Sequence, residues 1–387
     1  MKIIILCFCL FLILCPFYFF SSGQPQIADF ILLIAMPAFF FQRKHKVIFK
    51  DKTIKYLKYF ISIVIFVNLT HSAISVFTDI KTATDFILSM SYYIYNAFVF
   101  VIALLILKNS TLKQVNIFYY TIIISLLIQT LLGALGITKG GFDETTMARS
   151  IIFFNNPNQL GYYVLLIYTL FVLISFYAKK SNLVVLLFVT LMCFYLSLLG
   201  GSRASMGGIF LLMFISIFLQ AKFSLTKILQ VAFLLVILIA LFIEMNPKFI
   251  ENKRYIYEMR QDRDRNRYIS EFEVRGYDRI IKYPEYIFFG AGEGQDSRFT
   301  IAYHQGELHS GIGVLLFCYG IFGLFFFMLF IKKITQDKKM LGFLILLPIG
   351  IYNLTHQGLR QSLLWITFAL LYYICSFSKY EIRRLPL

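Results

Sequence analysis

The chain is 387 residues long, with 59% hydrophobic residues, 15% charged residues and a mean hydropathy of +0.74. A water-soluble chain of that length needs far more polar surface to cover its core, so the composition excludes an ordinary soluble globular protein and points to lipid as the main solvent. The net charge of +17 suggests a nucleic-acid binder, but nearly all the excess sits in short connections between apolar runs, where it sets topology.

In chain order, the apolar runs predict an all-α integral membrane protein with about 12 transmembrane helices. They fall near residues 3–20, 26–41, 57–78, 86–107, 115–136, 158–177, 182–199, 206–220, 228–244, 311–330, 340–355 and 362–377. Continuous rather than alternating apolarity excludes a closed β-barrel. The first run, Ile3–Phe20 after Met1-Lys2, looks like a secretory signal. Its length, and the lack of an A-x-A-like site after it, favour a retained span. The second is short and carries Asp29 at one end. All six cysteines lie inside apolar runs, so neither a metal site nor a disulfide framework is expected.

Threading the runs with the basic segment Arg43–Lys58 inside places 21 Lys and Arg in inside connections and 5 in the short outside loops. Both termini are then cytoplasmic. The other 11 basic residues lie in the long segment Met245–Ser310 between the ninth and tenth spans, balanced by 11 acidic ones. Long loops translocate regardless of charge. The expected organisation is one polytopic membrane domain, 1–387, with an inserted extracytoplasmic subdomain, 245–310.

Within that loop, Glu271–Tyr283 reads as a helix ending before Pro284, with Arg275, Arg279 and Lys282 as a narrow basic stripe. The stripe is either a row of interfacial cations or an anion clamp; arginine suits phosphate because its planar fork donates two parallel hydrogen bonds. Gly290-Ala-Gly-Glu293-Gly294 lacks any βαβ context and reads as a tight turn toward the membrane rather than a dinucleotide site. His304 and His309 make a poor zinc site; each is an interfacial anchor or a general base. Three shorter outside elements join them: Arg149 with Asn155-Asn156-Pro157-Asn158, Gly200-Gly-Ser-Arg203-Ala-Ser205, and His356 with Arg360. Topology brings all of them to the face of the long loop, and this convergence is what favours function over turns.

Four of these segments resemble motifs of the O-antigen polymerase/ligase superfamily of bacterial surface-polysaccharide assembly. They are Arg149 with the Asn-Pro-Asn box Asn156–Asn158, Gly200-Gly-Ser-Arg203-Ala, Arg275-Gly-Tyr-Asp-Arg279 leading to Phe289-Gly290-Ala-Gly292, and Leu308-His309-Ser310 followed by Tyr319-Gly320-Ile-Phe-Gly323. Ser310 stands where the family usually has Asn, and Tyr277 or Tyr283 where Trp is common. The resemblance implies a GT-C-type glycosyltransferase at the outer face of the bacterial inner membrane. Its donor is then an undecaprenyl-pyrophosphate-linked oligosaccharide, with no metal or nucleotide required, and its partners a flippase and a chain-length regulator. Arg149, Arg203 and Arg275 become the catalytic cations for the leaving pyrophosphate and His309 the general base. Arg279, Asn156, Asn158, Glu293, His304, His356 and Arg360 become substrate contacts. The acceptor stays open. A polymerase adds the glycan to another lipid-linked repeat, a ligase to lipid A core or protein. A transporter of the lipid-linked unit is a third class, disfavoured because the spans are nearly charge-free.

Overall fold

A computed structural model describes residues 2–20, 25–40, 51–77, 80–139, 150–180, 182–219, 270–294, 296–299 and 307–376, together with Glu251, Arg254 and Glu258. Every regular element among them is helical: α1 Lys2–Leu14, α2 Ile27–Phe40, α3 Lys52–Val76, α4 Ile80–Asn109, α5 Leu112–Ala134, α6 Pro157–Tyr177, α7 Leu183–Gly200 and α8 Arg203–Leu219, then the short α9 Glu271–Val274, α10 Asp278–Lys282 and α11 Tyr286–Phe289, and finally α12 Gly311–Thr335, α13 Lys339–Thr355 and α14 Ser362–Ser376. Six helices are long and apolar enough to cross a membrane: α3, most of α4, α5, α6, α7 and α12. The remaining helices on expected spans are shorter apolar ones, and the expected ninth span, 228–244, lies outside the described residues. All six cysteines are free thiols.

The chain divides into two compact units. One comprises residues 1–5, 32–111 and 269–387, and so holds α3, α4 and α9–α14. The other comprises 6–31 and 112–268, with most of α1 and all of α5–α8. Each unit has a helix that is apolar all round and enclosed by its neighbours. In the second unit this is α6, buried from Leu160 to Ser175 and packed on α5, α7 and α8; in the first it is α14, buried from Leu363 to Cys375 and packed on α4 and α12. The outward faces are also apolar, with Phe66, Phe322, Phe325 and Met328 exposed. Water would penalise such a surface, whereas hydrocarbon does not.

Side-chain caps set several helix starts. Asp51 accepts from Thr53 N at 2.8 Å, Asn156 from Gln159 N at 2.8 Å, and Ser310 from Gly313 N at 3.0 Å. Each satisfies one of the amides that a helix start leaves open. Pro157 at the first position of α6 adds a preset φ.

The expected continuous helix over 271–283 is instead two short pieces. Gly276, at φ +76, closes α9, with Gly276 N donating to Glu273 O at 2.9 Å and Tyr277 N to Phe272 O at 3.1 Å. Phe272 stacks on Tyr277 across the turn, completing a Schellman stop. The basic stripe is therefore split: Arg275 donates to Thr355 O, Arg279 is fully buried, and the exposed Lys282 pairs with the buried Asp278.

After α11 the backbone runs in among the helices of its own unit. Helix α12 breaks at Gly320, where φ is 68° and ψ −177°. Carbonyls freed at the break are taken up by the incoming segment: Ala291 N donates to Phe317 O and Gly292 N to Cys318 O, both at 2.9 Å. Glu293 N finds Asn68 Oδ1 at 2.8 Å, and the carbonyl of Gly290 receives His71 Nε2 at 3.1 Å. A buried irregular segment is tolerated when its amides and carbonyls are satisfied in this way. A Cβ at residue 320 would lie 2.4 Å from Phe288 O, in a backbone region almost confined to glycine. Gly320→Ala should therefore reduce folded protein sharply, measured as the monodisperse fraction after extraction. Wild-type yield from that variant would show that the break tolerates a side chain.

Candidate functional site

At one end of the first unit, the C-terminal halves of α3 and α13 meet the N-terminal halves of α4, α12 and α14. Four arginines and three carboxylates gather there. Glu293 is the centre, 3% exposed. Its Oε1 accepts from Arg360 Nε at 2.9 Å, Arg360 Nη2 at 2.6 Å and Gln357 Nε2 at 2.8 Å; its Oε2 accepts from Tyr319 OH at 2.6 Å. Both carboxylate oxygens are thus satisfied by protein donors. Asn68 and Tyr319 each lie about two helical turns in from the ends of α3 and α12, so the charge pair is set below the helix ends, by roughly 12 Å.

The backbone around Arg360 is fixed as tightly. Asn96 Nδ2 donates to Arg360 O at 3.0 Å, Trp365 Nε1 to Leu359 O at 2.8 Å, and Leu359 N to Gln357 Oε1 at 3.0 Å. The third guanidinium nitrogen, Nη1, reaches Glu307 Oε1 at 2.9 Å. Glu307 is half exposed, and Arg360 holds its carboxyl below the ordinary range.

Arg279 is fully buried and pairs with Asp296 Oδ1 at 2.6 Å. Its guanidinium also faces the Phe299 ring, 5.7 Å from the centroid, while Arg298 lies 4.6 Å from the same ring and 4.9 Å from that of Phe86. Arg298 donates to the carbonyls of Ala291 and Gly292, which locks the incoming segment. Its Nη1 is 3.5 Å from His71 Nδ1; with Nε2 donating to Gly290 O, Nδ1 is the acceptor. Arg275 Nη1 donates to Thr355 O at 2.8 Å, and its own carbonyl receives His309 N at 3.0 Å. His309 is half buried. His356 stacks on Tyr352 and lies 2.9 Å from Thr355 Oγ1, and its carbonyl accepts from Gly311 N. Arg275, Arg279, Glu293, His309, His356 and Arg360 are thereby brought together, while His304 lies outside the described residues.

Burial raises the Asp296 carboxyl to about 6 from its ordinary 3.8, against the opposing pull of Arg279. The sign follows from linkage. Between pH 4 and 6 the folded protein holds a proton that the unfolded chain has lost, so this group's contribution to stability falls as pH rises through that window. The difference in stability between wild type and Asp296→Asn should therefore depend on pH between 4 and 6, by at most about 3 kcal/mol. Parallel profiles from thermal melts would mean that Asp296 titrates normally.

In the second unit, Arg149 lies outside the described residues. The Asn box is built as a helix start. Asn156 caps α6, and Asn155 N donates to Gln159 Oε1 at 3.0 Å while its Nδ2 donates to Phe20 O at 3.0 Å. Asn158 is exposed on the first turn. Ile152, just before the box, is fully buried at φ +50, a strained setting for a β-branched residue. Ser202 packs on Gly161 of α6, where a Cβ would come within 2.5 Å, and Arg203 begins α8 with its side chain exposed.

Sequence reasoning missed Arg298, Asp296, Gln357, Asn68 and His71. Asn68 and His71 carried a usable signal, as polar side chains inside an otherwise apolar run. Among the described residues, no group of three or more His, Cys, Asp or Glu forms a metal site. No protein-family model matches the chain, and no curated protein matches it.

Proposed function

We propose that this protein is a membrane glycosyltransferase that polymerises lipid-linked oligosaccharide repeat units of O-antigen or capsule type, taking glycan from undecaprenyl pyrophosphate. The observation that carries the reading is the gathering of Arg275, Arg279, Arg298 and Arg360 around three carboxylates, Glu293, Asp296 and Glu307, at one end of the apolar helices of one unit. Holding four guanidinium groups there costs desolvation, which suits a site that receives an anion from the membrane plane. In this reading the chain has about 12 spans with both termini cytoplasmic, and the loop 245–310 and the arginine cluster face outward from a bacterial inner membrane.

The step is a displacement at the anomeric carbon. An acceptor hydroxyl forms a new bond to C1, the bond from C1 to the pyrophosphate oxygen breaks, and pyrophosphate leaves on its lipid with the bonding electrons. Arginines held in the first unit stabilise the charge that grows on it, with Arg275 as a catalytic cation. The acceptor proton passes to His309. Glu293, saturated by four donors, serves as the anchor that aims Arg360.

The test is purified protein in nanodiscs with lipid-linked oligosaccharide extracted from cells that make it. A polymerase builds a ladder of glycan lengths from that donor alone. Product only after adding a second acceptor identifies a ligase. Movement of the lipid across a bilayer with no glycosidic product would overturn the enzymatic reading.

A further inference from the structure

Arg360 has two unequal carboxylate partners. Glu293 takes Nε and Nη2 from a position 4% exposed and is held by two further donors, so it cannot leave without stranding buried groups. Glu307 takes only Nη1, in a single end-on contact, from a position 49% exposed. The two residues after it are pinned: Leu308 is buried, and His309 N is bonded to Arg275 O. The Glu307 carboxylate can therefore swing away by side-chain rotation alone, leaving the backbone in place. Behind it lies a guanidinium edge already aimed by Glu293, with Arg279 and His309 near enough to act on the Glu307 charge.

We infer that Glu307 is a resident counter-ion occupying an oxyanion site on Arg360 Nη1, which a pyrophosphate group fills by displacing it. This deepens the proposed function and rests on it for the source of the ligand. The pairing keeps the arginine desolvated and oriented when no donor is bound, and a half-exposed ion pair is weak enough to exchange. A pyrophosphate brings more than one charge and several acceptor oxygens, so it outcompetes one carboxylate. The exchange also leaves a free carboxylate two residues from His309.

The probe is inorganic pyrophosphate, titrated into the full-length protein in neutral-lipid nanodiscs. Removing the resident charge should tighten binding about three- to tenfold in both Glu307→Gln and Glu307→Ala. Undecaprenyl pyrophosphate in the disc should show the same gain, whereas phosphatidylglycerol should show none. Unchanged or weaker pyrophosphate binding in both variants overturns the inference, because the carboxylate would then be a ligand-side contact or a bystander. A gain confined to phosphatidylglycerol also overturns it and makes the site a headgroup seat. Glycan transfer by the wild type is scored separately. Transfer without the gain sinks the counter-ion role alone, and the gain without transfer sinks the enzymatic reading alone.

Discussion

Replacing Glu293 by alanine is expected to cost about 3 kcal/mol of stability, the low end for breaking a buried pair because Arg360 is 22% exposed. Three donors of two side chains lose their acceptor at Oε1, and the Tyr319 hydroxyl loses its own at Oε2. The loss spreads because Glu293 directly follows the two residues whose amides satisfy the break in α12. Glutamine at 293 keeps the shape and should lose less, but its amide group must point one N–H toward a donor. A double change of Glu293→Gln with Arg360→Gln should recover part of the loss, since it removes the stranded guanidinium along with its partner. The measurement is thermal unfolding of purified protein, with all four combinations compared. An alanine variant as stable as wild type would show that water or a rearranged side chain replaces the carboxylate at no cost.

The helical, lipid-exposed character of the chain was legible in its sequence because it depends only on runs of apolar residues, and a run needs no partner to be recognised. The start of α12 at Gly311 was legible for the same reason, since the expected tenth span begins at that residue. Glu293 was singled out from its place in Gly290–Gly294, but the use of those glycines was not foreseeable. They let one backbone approach another at Gly320, a contact between segments some thirty residues apart, and no local pattern encodes such a partner. The split at Gly276 was readable in principle. Helical periodicity across 271–283 outweighed a glycine that, beside the Phe272–Tyr277 contact, acts as a stop. Arg298 escaped notice because an arginine in a charged loop looks solvated, and only its two aromatic neighbours and two carbonyl acceptors make it structural.

Alanine at His309 is expected to lower glycan transfer per mole of folded protein about 10²–10⁴-fold, the usual loss when a general base is removed. The folded fraction of the variant is measured alongside, so that transfer is scored per mole of folded protein. What binds this position to the arginine segment is the backbone amide donated to Arg275 O, and what starts α12 is the neighbouring Ser310 hydroxyl; neither needs the imidazole. Among the acidic alternatives, Glu293 is committed through both oxygens, whereas Glu307 is engaged by Arg360 only while no donor is bound. An imidazole is suited to taking a proton near neutral pH, and that of His309 is half buried beside the arginine segment. Donor binding, measured separately, should stay within about threefold of wild type, because the arginines are untouched. Added imidazole should restore part of the transfer rate in the alanine variant, a response that a purely structural histidine would not give. Near-normal turnover in His309→Ala, with a large loss in Glu307→Gln, would instead make the released carboxylate the base and leave the histidine as an interfacial anchor.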